Sequence, residues 1–131
     1  MTSEYQQTVK KYFLKYKRLL KLNKAWKVEI KINPDIKEYA NVEWFYPSKI
    51  FIININPEKN QTLDNLRDSI IHECVHILLS PMTAELEVLF AKVQNKQTIP
   101  LSKTQKQFEK VEEAIVCRLS DILFNLMKGH K

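Results

Sequence analysis

Two histidines four residues apart, His72 and His76, lie inside an apolar run from Ile70 to Leu79, and they constrain this chain more than any other feature. On a helix, positions i and i+4 share a face, so both imidazoles can reach one ion at about 2 Å from each nitrogen. Glu73 directly follows the first histidine and stands too close to it to bind the same ion easily. It can instead contact a water held by the ion and accept its proton, the general-base role in metal-assisted hydrolysis. The chain has three histidines, and this His-Glu-x-x-His segment uses two.

The same residues could form the exposed polar face of an ordinary amphipathic helix. Helical phase argues against that, because Glu73 falls on the stripe that carries Leu66, Ile70 and Ile77. Burying a lone carboxylate beside two imidazoles costs several kcal/mol unless a cation answers it. Cys74, two residues before His76, points away from the histidine pair. Two cysteines make no disulfide framework, so Cys74 and Cys117 read as buried thiols in a reducing cytosol.

Bulk properties narrow the class further. A chain of 131 residues makes one domain spanning 1–131. With 44% apolar and 27% charged residues it reads as a soluble globular protein. No stretch approaches the roughly 18 apolar residues of a membrane span. The first residues lack the basic start and apolar segment of a secretory signal, so the expected location is cytoplasmic. The single glycine excludes Gly-rich phosphate loops and dinucleotide fingerprints. Net charge is +6, and residues 1–24 hold seven Lys or Arg against one acid. That segment either docks on nucleic acid or is a solvated face, and the second reading is favoured because no DNA-binding motif accompanies it.

Periodicity sets the order of elements. Apolar residues at steps of three and four from Tyr5 to Leu20 predict an amphipathic helix over 3–22. Strict alternation predicts a strand over 26–32, followed by a weaker one over 38–45 and a more apolar one over 49–56. Thr62 is expected to cap the motif helix, which runs to Ser80 and is stopped by Pro81. A further helix over 83–92, a polar loop over 94–100 and a long helix over 102–128, closed by Gly129, complete the chain. The fold class is α+β, with a small antiparallel or mixed three-stranded sheet packed on helices.

The His-Glu-x-x-His helix behind a short sheet, with a long helix after it, resembles a minimal zincin metallopeptidase of gluzincin type. It is similar to the ImmA/IrrE-like peptidases and to short metallopeptidase-like proteins of phages and mobile elements. The resemblance implies a Zn2+-dependent hydrolase acting on a peptide or protein, with a glutamate from a later helix as third ligand. Glu112 is the expected donor. It falls inside the stripe defined by Phe108, Val111, Ile115, Leu119, Ile122 and Leu126, whereas Glu113 falls to one side, near Cys117 and Ser120. Glu113 is the alternative ligand, followed by Glu85 and Glu87. Tyr39, Tyr46 and Arg118 are candidate donors to a developing oxyanion. The strand over 49–56 is expected to line the cleft and to pair with an extended peptide. An inactive zincin-like binding or regulatory protein is the rival reading, and oligomeric state is left open.

Overall fold

The computed structural model describes residues 3–45, 48–94 and 101–127, without the side chains of residues 3, 87, 88, 90–94 and 101–105. Tyr46, residues 95–100 of the expected loop and the expected stop at Gly129 lie outside the described residues, and Gln94, expected to open that loop, is still helical. In chain order the elements are α1 (Ser3–Leu19), β1 (Lys27–Ile32), β2 (Ala40–Phe45), β3 (Ile50–Ile55), α2 (Leu63–Leu78), α3 (Ser80–Gln94) and α4 (Leu101–Met127). The arrangement is α+β, in the expected order. No helix among the described residues is long and apolar enough to cross a membrane.

The alternation in β1 puts Val28 in the core and leaves Lys27, Glu29 and Lys31 exposed. Phe51, Ile53 and Ile55 of β3 alternate in the same way and are fully buried under the helices. Trp26 and Trp44 flank Phe51, with ring centroids 5.2 and 5.8 Å away. The sheet is mixed, in the order β1-β3-β2, with β1 parallel and β2 antiparallel to β3. This corrects one expectation. The strand over 49–56 cannot receive a peptide, because β1 and β2 occupy both of its edges. Its high apolar content marks a central strand buried on one face, not a cleft wall. The open edge on that side of the sheet belongs to β2.

Helix α1 ends without glycine. Lys21 takes the left-handed conformation (φ 54°), its N–H donates to the Arg18 carbonyl, and Leu22 N–H donates to the Lys17 carbonyl. This is the six-to-one, five-to-two pattern in which glycine usually sits. The helix docks through Val9, Phe13 and Tyr16, all buried, so it is part of the core rather than a detachable arm. Thr62 caps α2 as expected, its hydroxyl accepting from Asn65 N–H. Pro81 does not separate α2 from α3 by a loop. The chain re-enters a helix at Ser80, with Pro81 in the first turn, where a missing N–H is no loss.

Helix α2 is covered by the sheet, α1 and α4, and it carries Arg67 into the interior. The guanidinium Nε donates to the Tyr16 hydroxyl at 2.6 Å, and an Nη donates to the Met127 carbonyl at 3.2 Å. It also lies over the rings of Tyr12 and Phe124, at 5.3 and 5.7 Å from their centroids. The cation therefore meets two π faces and the negative end of α4, which replace the carboxylate that a buried arginine usually needs. One side chain thus ties α1, α2 and α4 together. Arg67→Ala should cost about 2–4 kcal/mol in urea unfolding, from lost packing and two orphaned hydrogen-bond acceptors. A loss no larger than that of exposed Lys27→Ala, within about 0.5 kcal/mol, would show that the clamp contributes nothing.

Candidate metal centre

Leu66, Ile70 and Ile77 of α2 are buried, and His72 and Glu73 border a cleft, with His76 one turn beyond His72. Glu73 is itself buried (6% exposed), as its phase on the stripe implied. The imidazoles lie edge to face, with ring centroids 5.0 Å apart. Cys74 faces the opposite way into the core, fully buried, and burial pushes its thiol up to about 12.

The acid that meets both histidines comes from α4 and is Glu113. Its Oε1 is 2.8 Å from His72 Nε2, and its Oε2 is 3.0 Å from His76 Nε2. Both are direct contacts, and the two histidines meet different oxygens of the one carboxylate. Glu112 is the more buried of the two glutamates, and its contacts differ. Its Oε2 accepts from the Thr83 hydroxyl at 3.0 Å, and its Oε1 lies 3.6 Å from His76 Nδ1. Glu112 thus stands on the Nδ1 side of His76 and Glu113 on the Nε2 side. Glu85 is exposed on α3 with no contact to the histidines, and the Glu87 side chain lies outside the described residues.

The phase of α4 explains the difference. Val111, Ile115, Leu119, Ile122 and Leu126, read as the buried stripe, are exposed, whereas Val116, Ser120 and Met127 are buried. The helix is rotated by about a quarter to a third of a turn from the expected orientation. It therefore presents Glu112, Glu113, Val116 and Ser120 to the rest of the fold. Cys117, expected to be buried, is exposed at the rim of the site, with its Sγ 3.7 Å from Glu113 Oε1. One donor atom each from His72, Glu113 and Cys117 lie within 4.8 Å of one another, and His76 reaches the second oxygen of the same Glu113 carboxylate.

A cleft of about 510 Å³ opens beside His72 and Glu73, lined also by Glu38, Tyr39, Ala40, Asn65, Asp68, Ser69 and Glu113. Its width is fixed by fully buried Asn60, whose amide donates to the Tyr39 and Asn56 carbonyls at 2.7 and 2.8 Å. The Asn60 side-chain oxygen accepts from the Ser69 hydroxyl at 2.6 Å, which locks the start of β2 to α2. Of the expected oxyanion donors, Tyr39 lines the cleft and Arg118 is exposed on α4 outside it. Sequence reasoning missed Glu38, Asp68 and Thr83. Asp68 stands four residues before His72, so helical spacing alone could have found it, whereas Glu38 and Thr83 carry no such signal.

Among the described residues, four acids line the cleft and no lysine or arginine does, although the chain is basic overall. Burial, then Glu113 and Glu38, push Glu73 up to about 8. Burial, then Asp121, also raise Asp68. His76 is pushed down by burial, against the pull of the glutamates, which favours the neutral imidazole that binds metals. No family model, curated protein or solved structure matches this chain.

The raised Glu73 carboxyl gives a signed pH effect. Its contribution to stability is complete below the ordinary carboxyl value of 4.5 and is lost as pH rises through about 8. Depressed His76 acts in the other direction, losing stability as pH falls below 6.5. The melting temperature of chelator-treated protein should therefore decline between about pH 6.5 and 8, and Glu73→Gln should flatten that decline. An equally steep decline in the variant would assign it to another group.

Proposed function

We propose that this protein is a zinc metallopeptidase of the minimal zincin kind, with His72, His76 and Glu113 as ligands and Glu73 as general base. The observation that carries this reading is the Glu113 carboxylate, brought from a separate helix onto the Nε2 atoms of both histidines. Two neutral imidazoles and one carboxylate are a donor set of catalytic zinc, which keeps a fourth position open. The concentration of acids in the cleft gives a cation a further electrostatic reason to bind there. When bound, zinc polarises a carbonyl oxygen and lowers the pKa of a coordinated water.

The residues of the chain divide the remaining work. Glu73 lines the cleft beside His72, and its carboxylate makes no hydrogen bond to the described residues. It is available to take a proton from an attacking water and return it to the leaving amine. Glu112, held by Thr83, orients the His76 ring. Tyr39, which lines the cleft, is the candidate donor to a developing oxyanion.

The substrate's backbone pairs with β2. Asn56 N–H donates to the Tyr39 carbonyl, so alternate residues on β2 face β3. Ala40, Val42 and Trp44 then present their N–H and C=O groups to the open edge, and Ala40 borders the cleft. An extended peptide adds there as a further strand. Glu38 and Asp68 favour a peptide with positive charge near the scissile bond. A cytoplasmic location accords with Cys74 and Cys117 both being thiols.

The test is cleavage of a mixed library of unstructured peptides by zinc-loaded protein, followed by mass spectrometry. Glu73→Gln should lower cleavage by at least about 10²-fold while zinc content is unchanged. Zinc loss in that variant would make Glu73 a ligand. A zinc-loaded wild type that cleaves nothing would make the protein a metal-holding binding module.

A further inference from the structure

Cys117 stands one turn beyond Glu113 on α4, so the two side chains share a face. Its Sγ lies 3.7 Å from Glu113 Oε1, the oxygen that His72 Nε2 meets at 2.8 Å. Among the described residues, His72, Glu113 and Cys117 are the one group of three whose donor atoms all fall within 4.8 Å of one another. Zinc–sulfur bonds are about 2.3 Å and zinc–oxygen bonds about 2.0–2.2 Å, so sulfur and oxygen on one tetrahedral ion stand roughly 3.6 Å apart. The observed separation matches that geometry. The thiol is also exposed at the rim of the site, in contrast to buried Cys74.

We propose that Cys117 is a fourth protein ligand, which closes the coordination sphere of the metal held by His72, His76 and Glu113. The inference rests on the metal-centre reading above. Four protein donors make a closed site, whereas catalysis needs an open position. Cys117 sulfur would take the position that a water needs, and would hold the centre latent. Coordination exchanges the S–H bond for a metal–sulfur bond and releases the proton to solvent, with no change of oxidation state. Opening reverses the exchange.

Cobalt(II) loading tests this without reference to activity. Wild type and Cys74→Ser should show the near-ultraviolet thiolate-to-cobalt charge-transfer band, and Cys117→Ser should lack it while keeping the visible ligand-field bands. Iodoacetamide supplies a second readout, because Cys117 should be alkylated at least tenfold more slowly in zinc-loaded than in chelator-treated protein. Ligand-field bands with no charge-transfer band, or a band lost in Cys74→Ser instead, would overturn the role of Cys117 and leave the metal centre standing. An alkylation rate unaffected by bound zinc would do the same. Failure of wild type to take up cobalt would overturn the metal-centre reading, and this inference with it.

Discussion

Helix α2 is enclosed by the sheet, α1 and α4, yet it carries Arg67, Ser69, His72, Glu73 and His76. Water cannot solvate most of those groups, so the fold has to answer them from within. Arg67 is met by Tyr16, Met127 and two aromatic faces, and Ser69 by Asn60. The histidines are met by Glu112 and Glu113. Glu73 has no hydrogen-bonding partner among the described residues, and the cost of its burial is expressed as a carboxyl held up to about 8. That unanswered acid beside two imidazoles is what a cation would resolve.

The same demand explains how α4 packs. Its most apolar stripe would bury more hydrophobic surface than the face that is actually used. That orientation would carry Glu113 and Ser120 away from α2 and leave the histidines facing hydrocarbon. Polar satisfaction in a dry interior is worth about 1–3 kcal/mol per group, comparable with burying an exposed Leu or Ile. The helix is accordingly turned toward its acids, at the expense of Val111, Ile115 and Ile122, which remain exposed. The cleft concentrates negative charge in a protein whose net charge is positive, and the basic residues of α1 stand elsewhere.

The order of elements was legible because it depends on local signals: alternation in β1, the Thr62 cap, and the spacing of Tyr5, Val9, Phe13 and Tyr16. The His72–Glu73–His76 face was legible for the same reason, since three positions on one helix need no tertiary information. What required the structure was the rotation of α4 and the place of β3 in the sheet. Both depend on which neighbour answers a surface, and amphipathicity does not encode that. The choice between Glu112 and Glu113 followed from the phase assigned to α4. Cys117 was expected to be buried as a thiol of a reducing cytosol, although helical phase already set it beside Glu113 and off the apolar stripe, and it is exposed.

The central claim is that α4 supplies Glu113 as the third donor to a metal held by His72 and His76, with Glu112 on the Nδ1 side of His76. Zinc affinity measured by chelator competition on wild type, Glu113→Ala and Glu112→Ala, with folding checked by circular dichroism, addresses it directly. The expected result is about one zinc per chain in wild type, loss of tight binding in Glu113→Ala, and a weakening of about 10–100-fold in Glu112→Ala. Wild-type affinity in Glu113→Ala, or a wild type that binds no zinc, would contradict it.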